Sequence, residues 1–140
     1  MKLVYLTLLV ASLTSSALSR AEDSKKPAAA SSEAKAYKNA SVDEFDKLRS
    51  DKKNVVLDVR TPKEFATSHI PGAVNIDWNG PDFEKKVGEL DKRKTYLVHC
   101  AAGGRSAKAS EKLTRLNFKS VYNLEGGMKA WEKAGKPVEK

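Results

Sequence analysis

Cys100 carries the only thiol in the chain, and the residues that follow it suit a sulfur nucleophile: Val98-His99-Cys100-Ala101-Ala102-Gly103-Gly104-Arg105-Ser106. The small side chains after the cysteine let the backbone curl tightly around a sulfur atom. Gly103 and Gly104 admit conformations that turn successive N–H groups inward, which makes a nest for an anion. A helix starting just beyond aims its positive end at the same place, and Arg105 adds a full charge. Each of these features favours thiolate over thiol and makes the sulfur nucleophilic at neutral pH. They also stabilise a persulfide anion, Cys-S-S⁻. The plain alternative, a small buried hydrophobe at the end of a core strand, leaves the cationic, glycine-rich loop without a purpose. With two histidines and one cysteine in the chain, no cluster has metal-ligand spacing, and no metal is expected.

The elements around this loop alternate between strand and helix. Ser41-Val42-Asp43-Glu44 reads as a capping box that opens a short helix reaching about Arg49. The apolar run over 55–59 reads as a strand buried on both faces. Thr61-Pro62-Lys63-Glu64 is a second capping box with proline at the first helical position. A Pro71-Gly72 turn leads to a strand over 73–76, and a weaker helix is expected over 81–88. Strands follow over 95–99 and 120–124. Between them, Gly103-Gly104 breaks the chain before a helix over about 105–116, with Ala109, Leu113 and Leu116 on its apolar face. Gly126-Gly127 opens a closing helix with Met128 and Trp131 inward. The expected fold class is therefore α/β, a small parallel β-sheet flanked by helices on both faces. Ligands of such sheets bind beyond the carboxyl ends of the strands, where Cys100 sits.

The Cys-x-x-Gly-x-Arg-Ser loop resembles the active-site loop of rhodanese-type sulfurtransferases. The resemblance continues in Leu57-Asp58-Val59-Arg60, in Glu64-Phe65, in His69-Ile70-Pro71-Gly72-Ala73-Val74-Asn75, and in Leu124-Glu125-Gly126-Gly127-Met128-Lys129-Ala130-Trp131. These segments span roughly residues 40–138. Ser68 departs from the family, which usually has glycine before His-Ile-Pro-Gly. The resemblance implies a rhodanese-like domain and a two-step reaction. Cys100 takes sulfane sulfur from a donor such as thiosulfate, then passes it to a thiophilic acceptor such as cyanide or a thiol. It implies Cys100 and Arg105 as catalytic residues, and backbone groups of Ala101, Ala102, Gly103, Gly104 and Ser106 as the cradle that binds substrate. The intermediate is covalent, so no cofactor is expected.

Loop length separates this chemistry from that of rhodanese-like phosphatases, which place five residues between Cys and Arg. Here there are four: Ala101, Ala102, Gly103 and Gly104. The smaller ring suits a sulfur atom and places phosphate badly. The loop also lacks the Cys-Gly-[Ser/Thr]-Gly pattern of mercaptopyruvate enzymes, which favours thiosulfate or another inorganic donor. The rival reading is a sulfur-carrier or binding module, in which Cys100 serves a dedicated protein thiol and turns over thiosulfate negligibly. A phosphatase is a distant third.

Other residues carry weaker expectations. Arg60 ends a strand at the same sheet edge as Cys100, where it either helps hold an anionic donor or makes an ion pair with Asp58 or Glu64. Ser106 is expected to cap the helix, with donation to the persulfide as its alternative. Asp58 is expected to bond backbone rather than act as a base. His99, next to the nucleophile on a strand, is expected to face away from the pocket. His69 reads as structural, Trp78 as packing or pocket-lining, and Trp131 as core.

The formal net charge of +8 invites a nucleic-acid reading. The lysines, however, are spread along the chain among Asp and Glu, without the clustered basic face such a partner needs. Small-molecule donor and acceptor, with a protein thiol in the carrier version, are the expected partners, and nucleic acid is not. Lys2 and the short apolar run over 3–13, followed by Ser19-Arg20-Ala21, read as a cleaved export signal over 1–21. An uncleaved anchor is the alternative. Residues 22–39, rich in Ala, Ser and Lys, read as a flexible linker to the domain over 40–140. The expected location is periplasmic or secreted, with no stable membrane insertion once the signal is removed.

Overall fold

A computed structural model describes residues 36–140. The signal expected over 1–21 and most of the linker expected over 22–39 lie outside the described residues. The elements run β1 (Lys38–Ala40), α1 (Val42–Arg49), β2 (Val55–Asp58), α2 (Pro62–Thr67), β3 (Val74–Asn75), α3 (Phe83–Gly88), β4 (Thr95–His99), α4 (Gly104–Arg115), β5 (Ser120–Leu124) and α5 (Gly127–Lys133). The five strands form one sheet in the order β1-β5-β4-β2-β3, with every pairing parallel.

Side-chain alternation divides the core in two. Leu57, Val59, Tyr96, Val98 and Cys100 face one side, where Phe83 and Val87 of α3 and Ala109 and Leu113 of α4 cover them. Val56, Leu97 and Leu124 face the other, under Phe45 of α1 and Met128 and Trp131 of α5. Strands covered on both faces read as continuous apolar runs, which is why β2 and β4 were legible. At α2 the capping box is complete, Thr61 and Glu64 exchanging hydrogen bonds with each other's backbone N–H. At α1 one half is formed, the Glu44 N–H donating to the Ser41 hydroxyl at 3.2 Å.

Lys38 and Asn39, expected in the linker, instead belong to edge strand β1, with Lys38 opposite Tyr122 and Asn39 opposite Asn123. Only Ala40 of this strand is buried, so its sequence carries no apolar alternation. Pairing holds it in place, helped by the Asn123 side-chain amide donating to Asn39 Oδ1 at 3.0 Å.

Candidate active site

Cys100 lies one residue past β4, between β5 and β2 near the middle of the sheet. The chain steps from β2 outward to β3, returns to β4, then moves the opposite way to β5. At such a switch point the loops after neighbouring strands diverge and leave a crevice at the carboxyl end of the sheet. The segments after β2 and β4 face each other there, one carrying Thr61 and Glu64, the other Cys100 to Arg105.

The loop turns at Gly103, whose φ of 110° is open to glycine and strained for other residues. That turn brings the Gly103 N–H to 3.1 Å from Cys100 Sγ. Gly104 is different. It is the first residue of α4, and a Cβ there would meet nothing within 4 Å, so of the two loop glycines only Gly103 is required by geometry. Ala101, Ala102 and Gly104 complete the turn.

Cys100 is only 1% exposed. Burial pushes its thiol up, but the Ser106 hydroxyl and N–H, with the N–H groups of Gly103 and Ala102, pull it down by more. The net direction is below the ordinary 9.0, so hydrogen bonds to the anion outweigh desolvation. Ser106 does not cap the helix as expected. Gly103 occupies the N-cap, and Ser106 is the third helical residue. Its hydroxyl lies 3.2 Å from the Gly103 carbonyl and bears on the sulfur as well.

Arg105 reaches across the crevice to Glu64, with Nη1 donating to Oε2 and Nη2 to Oε1, each at 2.9 Å. The Glu64 pairing, opposed by burial, holds its guanidinium above its ordinary value, and the Cys100 sulfur adds to the rise. Glu64 also accepts from the Thr61 N–H at 3.0 Å and hydroxyl at 2.9 Å. The sequence marked Glu64 as a cap and missed it as the partner of Arg105. The two are 41 residues apart, and only the parallel crossover brings them together.

Of the two roles expected for Arg60, donor binding or an ion pair with Asp58 or Glu64, the structure shows the pair with Asp58 and not a place in the donor site. It is 5% exposed. Its Nε and Nη2 donate to the Asp58 carboxylate at 2.7 to 3.1 Å, and Nη2 donates also to the Ser68 carbonyl at 2.7 Å. A guanidinium so committed, against a fully buried carboxylate, is a structural clamp. Asp58 also accepts from the Arg60 N–H at 2.9 Å, the backbone role expected of it.

His99 faces away from the sulfur, edge-on to Phe45 with ring centroids 6.3 Å apart. It sits opposite Asp58 in the sheet, with Nε2 3.5 Å from the carboxylate. Burial pushes its pKa below the ordinary 6.5, and Asp58 opposes that. His69 stacks on Phe65 with centroids 3.8 Å apart, and its Nδ1 lies 2.9 Å from the Phe65 carbonyl. Trp78 packs edge-on against Phe83 at 4.9 Å. It lines a depression of about 560 Å³ with Pro81, Phe83 and Lys112, not one that includes Cys100. Trp131 is fully buried, its indole N–H donating to the Pro137 carbonyl at 2.8 Å.

A thiol of lowered pKa thus sits among backbone amides at the carboxyl end of a central strand of a parallel α/β sheet. Residues 41–134 match the rhodanese-like domain family, and the chain belongs to that family. Thiosulfate sulfurtransferase 16, chloroplastic, of Arabidopsis thaliana is 37% identical over 93 residues, covering 59% of this chain and 78% of that protein. Thiosulfate sulfurtransferase GlpE of Shewanella oneidensis is 31% identical over 98 residues, covering 70% and 95%. The crystal structure of a rhodanese-related protein from Thermoplasma volcanium superposes with a TM-score of 0.66 at 34% identity, covering 74% of this chain and 98% of that one.

Proposed function

We propose that the protein is a thiosulfate sulfurtransferase that works through a persulfide on Cys100. The observation that carries the reading is the set of N–H groups of Ala102, Gly103 and Ser106 that bear on the sulfur, with Gly103 at 3.1 Å. In the first step the Cys100 thiolate attacks the sulfane sulfur of thiosulfate. A Cys–S bond to that sulfur forms, the S–S bond of thiosulfate breaks, and sulfite leaves with the electron pair. In the second step an acceptor such as cyanide or a thiolate attacks the terminal sulfur of Cys-S-S⁻, and Cys100 departs as thiolate. Both steps place negative charge on sulfur inside the loop, so amides already aimed there serve each of them without rearrangement. Arg105 supplies a positive charge at the rim for anionic donors. The sulfur rides covalently, and the mechanism calls for no cofactor or metal.

The reading that the protein works outside the cytoplasm rests on the sequence over 1–21 and belongs to this proposal. Steady-state formation of thiocyanate from thiosulfate and cyanide tests the enzyme reading. Turnover that saturates in thiosulfate and vanishes in Cys100→Ser supports it. Negligible turnover, together with rapid loss of bound sulfur to a protein thiol, replaces it with the partner-dedicated carrier.

A further inference from the structure

The loop that turns its amides toward the Cys100 sulfur must turn its carbonyls the other way, because the N–H and C=O of one trans peptide point in opposite directions. Two of those carbonyls end on the first turn of α5. The Met128 N–H donates to the Cys100 carbonyl at 2.8 Å, and the Lys129 N–H donates to the Ala101 carbonyl at 3.0 Å. The Ala101 carbonyl shares its peptide plane with the Ala102 N–H, one of the groups that bear on the sulfur. Fixing one end of that plane fixes the other. From the opposite side, His99 Nδ1 lies 3.3 Å from the same Cys100 carbonyl.

Gly127 is what lets α5 come this close. A Cβ there would lie 2.6 Å from the Cys100 carbonyl oxygen, 2.7 Å from the Ala101 carbonyl carbon and 2.8 Å from its oxygen. All three atoms are backbone, so no rotamer change relieves the overlap. The φ of +59° at Gly127 is a second, independent demand for glycine. Gly135 carries a similar φ of +73°, yet a Cβ there would meet nothing within 4 Å.

We propose that Gly127 is a positioning residue for the sulfur chemistry: it admits the first turn of α5 against the Cys100 and Ala101 carbonyls, and so aims the loop N–H groups at the sulfur. The proposal rests on Cys100 being the nucleophile, and its test needs no sulfur donor. In the full chain, the rate of Cys100 alkylation by iodoacetamide is followed against pH for the wild type, Gly127→Ala and Gly135→Ala. Gly127→Ala raises the midpoint by about one pH unit, which slows alkylation about tenfold at pH well below the wild-type midpoint, whereas Gly135→Ala keeps the wild-type midpoint. A folded Gly127→Ala protein with the wild-type midpoint overturns the proposal.

Amide hydrogen exchange gives a second reading that stands even if Gly127→Ala does not fold. Cys100→Ser replaces the thiol by a hydroxyl of similar shape that does not ionise near neutral pH. The Met128 and Lys129 amides then exchange several-fold faster than in the wild type, and unchanged exchange at both also overturns the proposal. Normal alkylation shifts in a protein that fails to take sulfur from thiosulfate would leave the positioning role intact and remove only the assigned donor.

Discussion

Arg105 and Glu64 meet through two parallel hydrogen bonds of 2.9 Å each, joining the loop that holds Cys100 to the first turn of α2. The pair bridges the crevice between the segments that follow β4 and β2. Its geometry is the fork-to-carboxylate arrangement that gives direction as well as charge. Both side chains remain partly exposed, at 27% and 35%, so the pair orders the rim of the site more than it stabilises the fold. Because Glu64 offsets much of the Arg105 charge, the backbone amides bear the larger part of the negative charge on sulfur.

The pair makes Glu64 an acid-sensitive latch. Its carboxyl is held at about 2, below the ordinary 4.5, first by the Arg105 hydrogen bonds, with burial opposing and Thr61 assisting. A folded value below the unfolded one means that the unfolded state binds more protons in this window. The contribution is therefore whole above pH 4.5 and is lost as pH falls through about 2. Thermal midpoints measured across this range should fall less steeply for Glu64→Gln than for the wild type. Identical slopes would show that the pair does not form in solution.

Arg60 is expected to matter for stability and not for donor binding. Removing it in Arg60→Ala strands the fully buried Asp58 carboxylate, and breaking a buried pair from one side costs about 3–5 kcal/mol. Urea unfolding should show that loss, while the folded fraction takes up sulfur from thiosulfate with the wild-type KM. A stable variant with a raised KM would return Arg60 to the donor site.

The sequence was most legible where burial on both faces left apolar runs, as in β2 and β4, and where caps stood before them, as at Thr61. The turn of the Cys100 loop was legible for a related reason, since the positive φ at Gly103 is a requirement visible in one dimension. β1 escaped because an edge strand with one buried residue has no pattern to show. Arg60 was ambiguous because a strand-end arginine reads alike whether it faces a ligand or a carboxylate two residues back. The Glu64–Arg105 bridge and the grip of α5 on the loop depend on which crossovers share one end of the sheet, and local spacing does not encode that.

Whether Cys100 carries sulfur is read by intact mass spectrometry of the protein after incubation with thiosulfate and desalting. The wild type should gain one sulfur atom, lost on adding cyanide, and Cys100→Ser should gain none. A wild-type protein whose mass does not change would contradict thiosulfate as the donor. A Cys100→Ser variant that still gains the sulfur would contradict the assignment of the site itself.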